Sequence, residues 1–112
     1  MEIAFRTSKL KKRCHHYMEA SRTWGEDNAR KLIQRLQEID AADHLEQFCG
    51  LPGPDCHALK GDRKGQWACK LAGPKRLIFV PDGDPTTYME EGKLIRSNVL
   101  KIKVLEVTNY HE

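Results

Sequence analysis

The stretch QWACKLAGPKRLIFV, residues 66–80, predicts a β-hairpin. Residues 66–71 form its first strand, the Gly-Pro pair that follows turns the chain, and residues 76–80 return. The returning strand is almost continuously apolar from Leu77 onward, which is typical of a strand in the middle of a sheet. Trp67 stands among apolar positions of the first strand, so we expect it in the core.

Shorter strands are predicted on both sides of this hairpin. A weak alternation at residues 2–6 predicts an edge strand, and residues 57–60 are short and extended after the proline-rich LPGP at 51–54. Residues 101–107 form the last strand. Residues 81–100 are largely polar and irregular, and a loop of that length is usually functional or mobile.

Two amphipathic helices precede these strands. Ser8 is the expected N-cap of the first helix, which runs to about residue 21. Its apolar positions are Leu10, Cys14, Tyr17 and Met18. The second helix runs from about residue 26 to 42. Its apolar stripe consists of Ala29, Leu32, Ile33, Leu36 and Ile39. The order β-α-α-β-β-β-β predicts an α+β fold, in which a helical hairpin packs on a mostly antiparallel sheet of four to five strands.

The length and composition indicate one domain over residues 1–112. A chain of 112 residues with 39% hydrophobic residues supports one modest core. No apolar run reaches the ~18–20 residues that span a bilayer. The N-terminal MEIAFRTSKLKKRC carries charges where a secretion signal would be apolar. We therefore expect a cytoplasmic protein without a membrane partner.

The four cysteines, at 14, 49, 56 and 69, contain no C-x-x-C pair, and zinc sites usually have two such pairs. Free thiols in a reducing compartment are therefore expected. There is also no glycine loop of the phosphate-cradling Walker type. We expect neither a metal nor another cofactor.

The net charge of +3 is small, but the cations are concentrated between residues 56 and 80. The cations there are Lys60, Arg63, Lys64, Lys70, Lys75 and Arg76. The same segment contains one acidic residue, Asp62. Most charge runs are solvated faces. Because these cations bracket a turn and two predicted strands, however, they can converge, which favours a phosphate-bearing partner.

Two histidines stand at strand ends that can meet at one edge of a compact sheet. His57 opens residues 57–60, and His111 follows the last strand. RNA carries its own nucleophile, the 2′-hydroxyl, so an enzyme that cleaves it needs proton transfer near pH 7 and cations at the phosphate. The two histidines and the nearby cations therefore suit RNA cleavage in a shared cleft. The alternatives to this catalytic role are a structural role for His57 and fraying of the chain end at His111.

A combination of motifs resembles the HigB branch of the RelE/ParE-superfamily toxins. The motifs are HALKGDRKGQW at 57–67, an arginine in R-L-I-F at 76–79, and a C-terminal V-x-x-Y-H. The resemblance covers essentially the whole chain, including IAFRTSKL at 3–10 and both helices. It implies a RelE-like fold and a type II toxin, a ribosome-dependent endoribonuclease that cleaves mRNA in the A site without a metal. It also implies a HigA-like helix-turn-helix antitoxin, with the toxin a monomer when free and part of a hetero-oligomer with antitoxin.

The resemblance also implies roles for single residues. The catalytic residues are His57, Arg76, Tyr110 and His111. The substrate-binding residues are Lys60, Arg63, Lys64, Lys70 and Asn109. In this hypothesis the two histidines share proton transfer, and Tyr110 positions a base or sugar. Relatives commonly carry an aspartate where this chain has Asn109, and an amide cannot accept a proton as a carboxylate does.

Two further hypotheses keep the fold and change the activity. ParE-like members of the superfamily poison DNA gyrase without cleaving RNA, although such toxins generally lack the histidines and the terminal Tyr-His. A degenerate toxin would act only as an antitoxin-binding subunit, and Asn109 keeps that hypothesis open.

Overall fold

The computed structural model describes residues 1–109, which form four α-helices, three short 3-10 helices and seven strands. The helices are α1 (Ser8–His15), α2 (Tyr17–Trp24), α3 (Glu26–Ala41) and α4 (Leu45–Cys49). The strands are β1 (Glu2–Phe5), β2 (His57–Ala58), β3 (Trp67–Lys70), β4 (Lys75–Pro81), β5 (Met89–Glu90), β6 (Lys93–Leu94) and β7 (Lys101–Asn109). No helix in this part of the chain is long and apolar enough to cross a membrane.

The main sheet has the strand order β1-β7-β4-β3-β2. β1 runs parallel to β7, and the other neighbours are antiparallel. The predicted hairpin is therefore confirmed as the β3–β4 pair, with β4 in the middle of the sheet. The predicted α+β fold is confirmed as well, and the mostly antiparallel sheet, predicted with four to five strands, has five. The region 81–100 is more ordered than expected, because β5 and β6 pair as a separate two-stranded sheet.

The first predicted helix is wrong in one respect, because the chain forms two helices there. His16 has an extended backbone (φ −119°, ψ 109°) and separates α1 from α2. Thr7, not Ser8, caps α1, and its side chain accepts a hydrogen bond from Leu10 N at 3.1 Å. The break changes the helical phase, and Met18 consequently faces solvent with 62% exposure.

The helical hairpin consists of α2 and α3, joined at Gly25. That glycine has φ 91°, a left-handed conformation that side chains with a Cβ adopt rarely. α3 confirms the predicted second helix to within a residue. Its buried stripe includes Leu32 and Ile39, and it also includes Arg35, which is 3% exposed.

The two faces of the main sheet differ. Along β3 and β4, Trp67, Cys69, Leu77 and Phe79 belong to the core cluster that includes the helices. Side chains alternate between faces along a strand, so Ala68 and Ile78 point the other way and form a small cluster with Leu59 and Leu105. The predicted core position of Trp67 is confirmed, at 8% exposure.

Candidate functional site

We use the name open sheet face for the side of the main sheet opposite the helical core. The register places on it, strand by strand, His57, Ala68, Lys70, Arg76, Ile78, Glu106 and Thr108. In antiparallel sheets the Cβ atoms of directly opposite residues lie ~4.5–5.5 Å apart. Polar side chains from four different strands thus meet on this face.

Two cross-strand rows organise the open sheet face. Lys70 lies opposite Arg76, which lies opposite Thr108. The neighbouring row runs from His57 through Ala68 and Ile78 to Glu106. Strands are spaced by ~4.8 Å, so this second row spans about 14 Å from end to end.

Arg76 is half-buried and is fixed by the turn before it. Its Nη1 donates to Gly73 O at 2.9 Å and to Lys75 O at 3.0 Å. Among residues 1–109, the hydrogen bonds of this side chain involve Nη1 alone. The guanidinium edge formed by Nε and Nη2 therefore suits bidentate contact with a phosphate.

Arg63 reaches the same face from the turn between β2 and β3. Its Nη1 donates to Gln66 Oε1 at 2.9 Å and to Glu106 Oε2 at 3.2 Å. Lys60 and Lys64 are exposed on the same connection. The segment HALKGDRKGQW at 57–67 thus contacts β7 through the ion pair of Arg63 with Glu106.

Glu106 is the residue that sequence reasoning missed. Its position in the last strand was predicted, but its face was not. The register between β4 and β7 shifts between Ile78 and Phe79, a β-bulge that pairs Ile78 with Glu106 and Phe79 with Val104. No local pattern in the sequence signals this bulge.

The backbone of Asp55 holds one ring nitrogen of His57. Its Nδ1 lies 2.9 Å from Asp55 O, and because a carbonyl oxygen only accepts, Nδ1 carries the proton of this bond. In the neutral ring, Nε2 is then the nitrogen that can accept a proton, and this atom is shielded from solvent. Asp55 itself has φ 48°, a left-handed conformation that aspartate tolerates better than most residues.

Not every predicted site residue lies on the open sheet face. Asn109 pairs with Lys75, and Lys75 Nζ donates to Asn109 Oδ1 at 3.0 Å. These two residues alternate with Arg76 and Thr108 and therefore belong to the other side of the sheet. Tyr110 and His111 lie outside the described residues, and so does the cleft that His57 was predicted to share with His111.

The site residues that do converge are Lys70, Arg76, Arg63 and His57. Three of them are cations, which bind phosphate oxygens and repel metal ions. Within residues 1–109, no group of three or more His, Cys, Asp or Glu side chains is arranged to hold a metal. The open sheet face thus places three cations, whose chemistry suits contact with phosphate oxygens, on the same side of the sheet as His57.

A solved structure has the same architecture. The YoeB/ParE toxin from Agrobacterium tumefaciens matches with a TM-score of 0.59 at 13% identity, over 99% of this chain and 100% of that one. No family model matches the sequence, and no curated protein matches it. The molecule is therefore an α+β protein with a cationic open sheet face. Its fold is that of the YoeB/ParE toxin, the RelE-like fold that the motifs implied.

Proposed function

We propose that this protein is the toxin of a type II toxin–antitoxin system, a ribosome-dependent endoribonuclease that cleaves mRNA in the A site. The observation that carries the proposal is the cross-strand pair Lys70–Arg76 on the same open sheet face as His57. The full-length similarity in fold to the YoeB/ParE toxin supports it. The partners in this proposal are mRNA, the ribosome and a HigA-like antitoxin, and the compartment is the cytoplasm.

The chemistry needs no metal. The 2′-oxygen attacks the adjacent phosphorus, the bond to the 5′-oxygen breaks, and the products are a 2′,3′-cyclic phosphate and a 5′-hydroxyl. Arg76 and Lys70 stabilise the negative charge that grows on the phosphate oxygens. His57 exchanges a proton through Nε2, and we assign the second proton transfer to His111, as the resemblance implied.

Dependence on the ribosome is part of this proposal, as the resemblance implied. The open sheet face supplies charge and a proton-transfer group. In-line attack requires the 2′-oxygen and the scissile bond to be aligned, and such alignment accounts for a large part of catalysis. In this proposal the ribosome provides this alignment by holding the mRNA in the A site.

The test is cleavage of mRNA in purified translation complexes, mapped by primer extension. We expect cuts within the A-site codon and a rate on free RNA at least about 100-fold lower, because alignment is lost. Equal rates on free RNA would refute ribosome dependence. Induction in cells separates the alternatives: an mRNA nuclease stops translation first, a gyrase poison first induces DNA damage, and a degenerate toxin causes no growth arrest.

Glu106→Gln should strengthen RNA binding, because Glu106 places a negative charge on the face and neutralises Arg63 at 3.2 Å. We expect a Kd for single-stranded RNA about two- to fivefold lower. The slope of log K against log salt should steepen by about 0.7, the value for one additional phosphate contact. Titration of a fluorescent oligonucleotide at several salt concentrations measures both quantities.

Glu90→Gln is the matched control for this substitution, since it removes the same charge from the exposed hairpin of β5 and β6. It should leave the salt slope unchanged. If both variants bind RNA equally well, the effect is one of net charge, and the assignment of Arg63 to phosphate binding is wrong.

A further inference from the structure

Cys49 and Cys56 come together next to the open sheet face. Cys49 ends α4, Cys56 directly precedes His57, and both are half-buried. Their Sγ atoms lie 3.3 Å apart, in hydrogen-bond contact. We infer that Cys49 and Cys56 form a redox-active dithiol, whose closure to an intramolecular disulfide moves the segment that holds His57.

The two sulfurs have different surroundings, and these give them different roles in disulfide formation. The hydrogen bond with Cys56 lowers the pKa of Cys49 below that of an ordinary thiol, and the positive charge of Arg96 acts in the same direction, against the effect of burial. The hydrogen bond with Cys49 and burial raise the pKa of Cys56. Cys49 is therefore the attacking sulfur and Cys56 the resolving thiol.

The other two cysteines provide an internal comparison. Cys14 and Cys69 are 2% and 0% exposed. Burial raises the pKa of each of these thiols to about 12. Their thiolate fraction near neutral pH is consequently very small, and thiolate is the reactive form.

The oxidant that the reaction requires is a low-molecular-weight disulfide, such as oxidised glutathione. The Cys49 thiolate attacks one sulfur of the oxidant and forms a mixed disulfide, while one glutathione thiolate leaves. Cys56 then gives up its proton and attacks Cys49 Sγ, which expels the second glutathione. Two protein thiols are oxidised, and one glutathione disulfide is reduced to two thiols.

Closure has a structural consequence for His57. A disulfide bond is about 2.05 Å long, so the two sulfurs must approach each other by more than ~1 Å. The ring formed by residues 49–56 contains Asp55, whose carbonyl oxygen accepts the hydrogen bond from His57 Nδ1. Movement of this ring therefore changes the environment of the imidazole.

The experiment uses the full chain, oxidised glutathione near neutral pH, trypsin and mass spectrometry. Both cysteines lie in one tryptic peptide, residues 36–60, whereas Cys14 and Cys69 lie in two others. We expect peptide 36–60 to lose two hydrogens at least about tenfold faster than Cys14 or Cys69 is modified. The NMR signals of the His57 imidazole should change with the same rate constant as the disulfide forms.

Variants check each role. Cys56→Ser should accumulate the mixed disulfide on Cys49, and Cys49→Ser should lose the fast reaction. Arg96→Gln should slow the reaction of Cys49 with oxidised glutathione about three- to tenfold. Arg96→Lys keeps the positive charge and should restore most of that rate. Equal reactivity of all four thiols would overturn the dithiol, and unchanged His57 signals after closure would overturn its effect on His57. Neither readout requires nuclease activity.

Discussion

Arg76→Ala should lower the rate of mRNA cleavage in translation complexes by about 10²–10³-fold. The side chain is held by Gly73 O and Lys75 O, so its guanidinium is already oriented when RNA arrives. Fixed charges of this kind require little reorganisation as negative charge develops on the phosphate. The measurement is the single-turnover rate at saturating toxin, because weaker binding then does not contribute.

Lys75→Ala is the matched control. It removes one positive charge from the adjacent residue of β4, but Lys75 lies on the other side of the sheet, where it pairs with Asn109. We expect cleavage within about threefold of the wild-type rate, as for the loss of a surface charge. Equal losses in both variants would mean that Arg76 acts through net charge, and the site assignment would fail.

Arg76→Lys separates charge from geometry. Lysine keeps the positive charge but loses the planar fork that contacts two phosphate oxygens. We expect this variant to recover only part of the rate that Arg76→Ala loses. Full recovery would show that a point charge is sufficient at this position.

The sequence predicted best those elements whose signal is local. The apolar run at 77–80 identified a central strand, and β4 is the middle strand of the sheet. The periodicity of α3 likewise lies within one element. The break at His16 is different: no proline or glycine marks it, and it separates two segments that both favour helix. The composition of the segment does not report that boundary.

The same difference between local and long-range features applies to the candidate site. His57, Arg63 and Arg76 were found by their residue types and by the motifs that contain them. Their meeting on one face depends on register between distant strands. Glu106 reaches that face through a bulge, whereas Asn109 faces the other side of the sheet. Both outcomes were inaccessible from spacing alone, because a shift of one residue reverses the face of every side chain after it.

Arg35 is a core residue that the apolar pattern of α3 did not identify, because its side chain is charged. The stripe that runs through Leu32 and Ile39 passes position 35, and the side chain there is 4% exposed. Its guanidinium satisfies acceptors from separate parts of the chain. Nε donates to Lys70 O at 2.7 Å, Nη1 to Glu38 Oε1 at 2.7 Å and Nη2 to Gly53 O at 3.2 Å. Arg35 thus connects α3 to the end of β3 and to the proline-rich loop.

Arg35→Met should lower the free energy of unfolding by about 3 kcal/mol, and the Tm by roughly 10–15 °C. Methionine fills part of the volume but leaves Lys70 O and Gly53 O without their donor in the interior, and each such group costs about 1–3 kcal/mol. Urea unfolding followed by tryptophan fluorescence and circular dichroism measures the change, because Trp67 is buried in the same core.

Arg30→Met is the control on the same helix. Arg30 pairs with Asp27 at 2.6 Å, and their side chains are 59% and 81% exposed. Surface pairs of this kind contribute little, so its unfolding curve should almost coincide with that of the wild type. Similar destabilisation by both variants would mean that α3 tolerates methionine poorly in general. An Arg35→Met curve that matches the wild type would show that water, not Arg35, satisfies the two carbonyl oxygens. The buried guanidinium would then contribute nothing to holding Lys70 at its place beside Arg76.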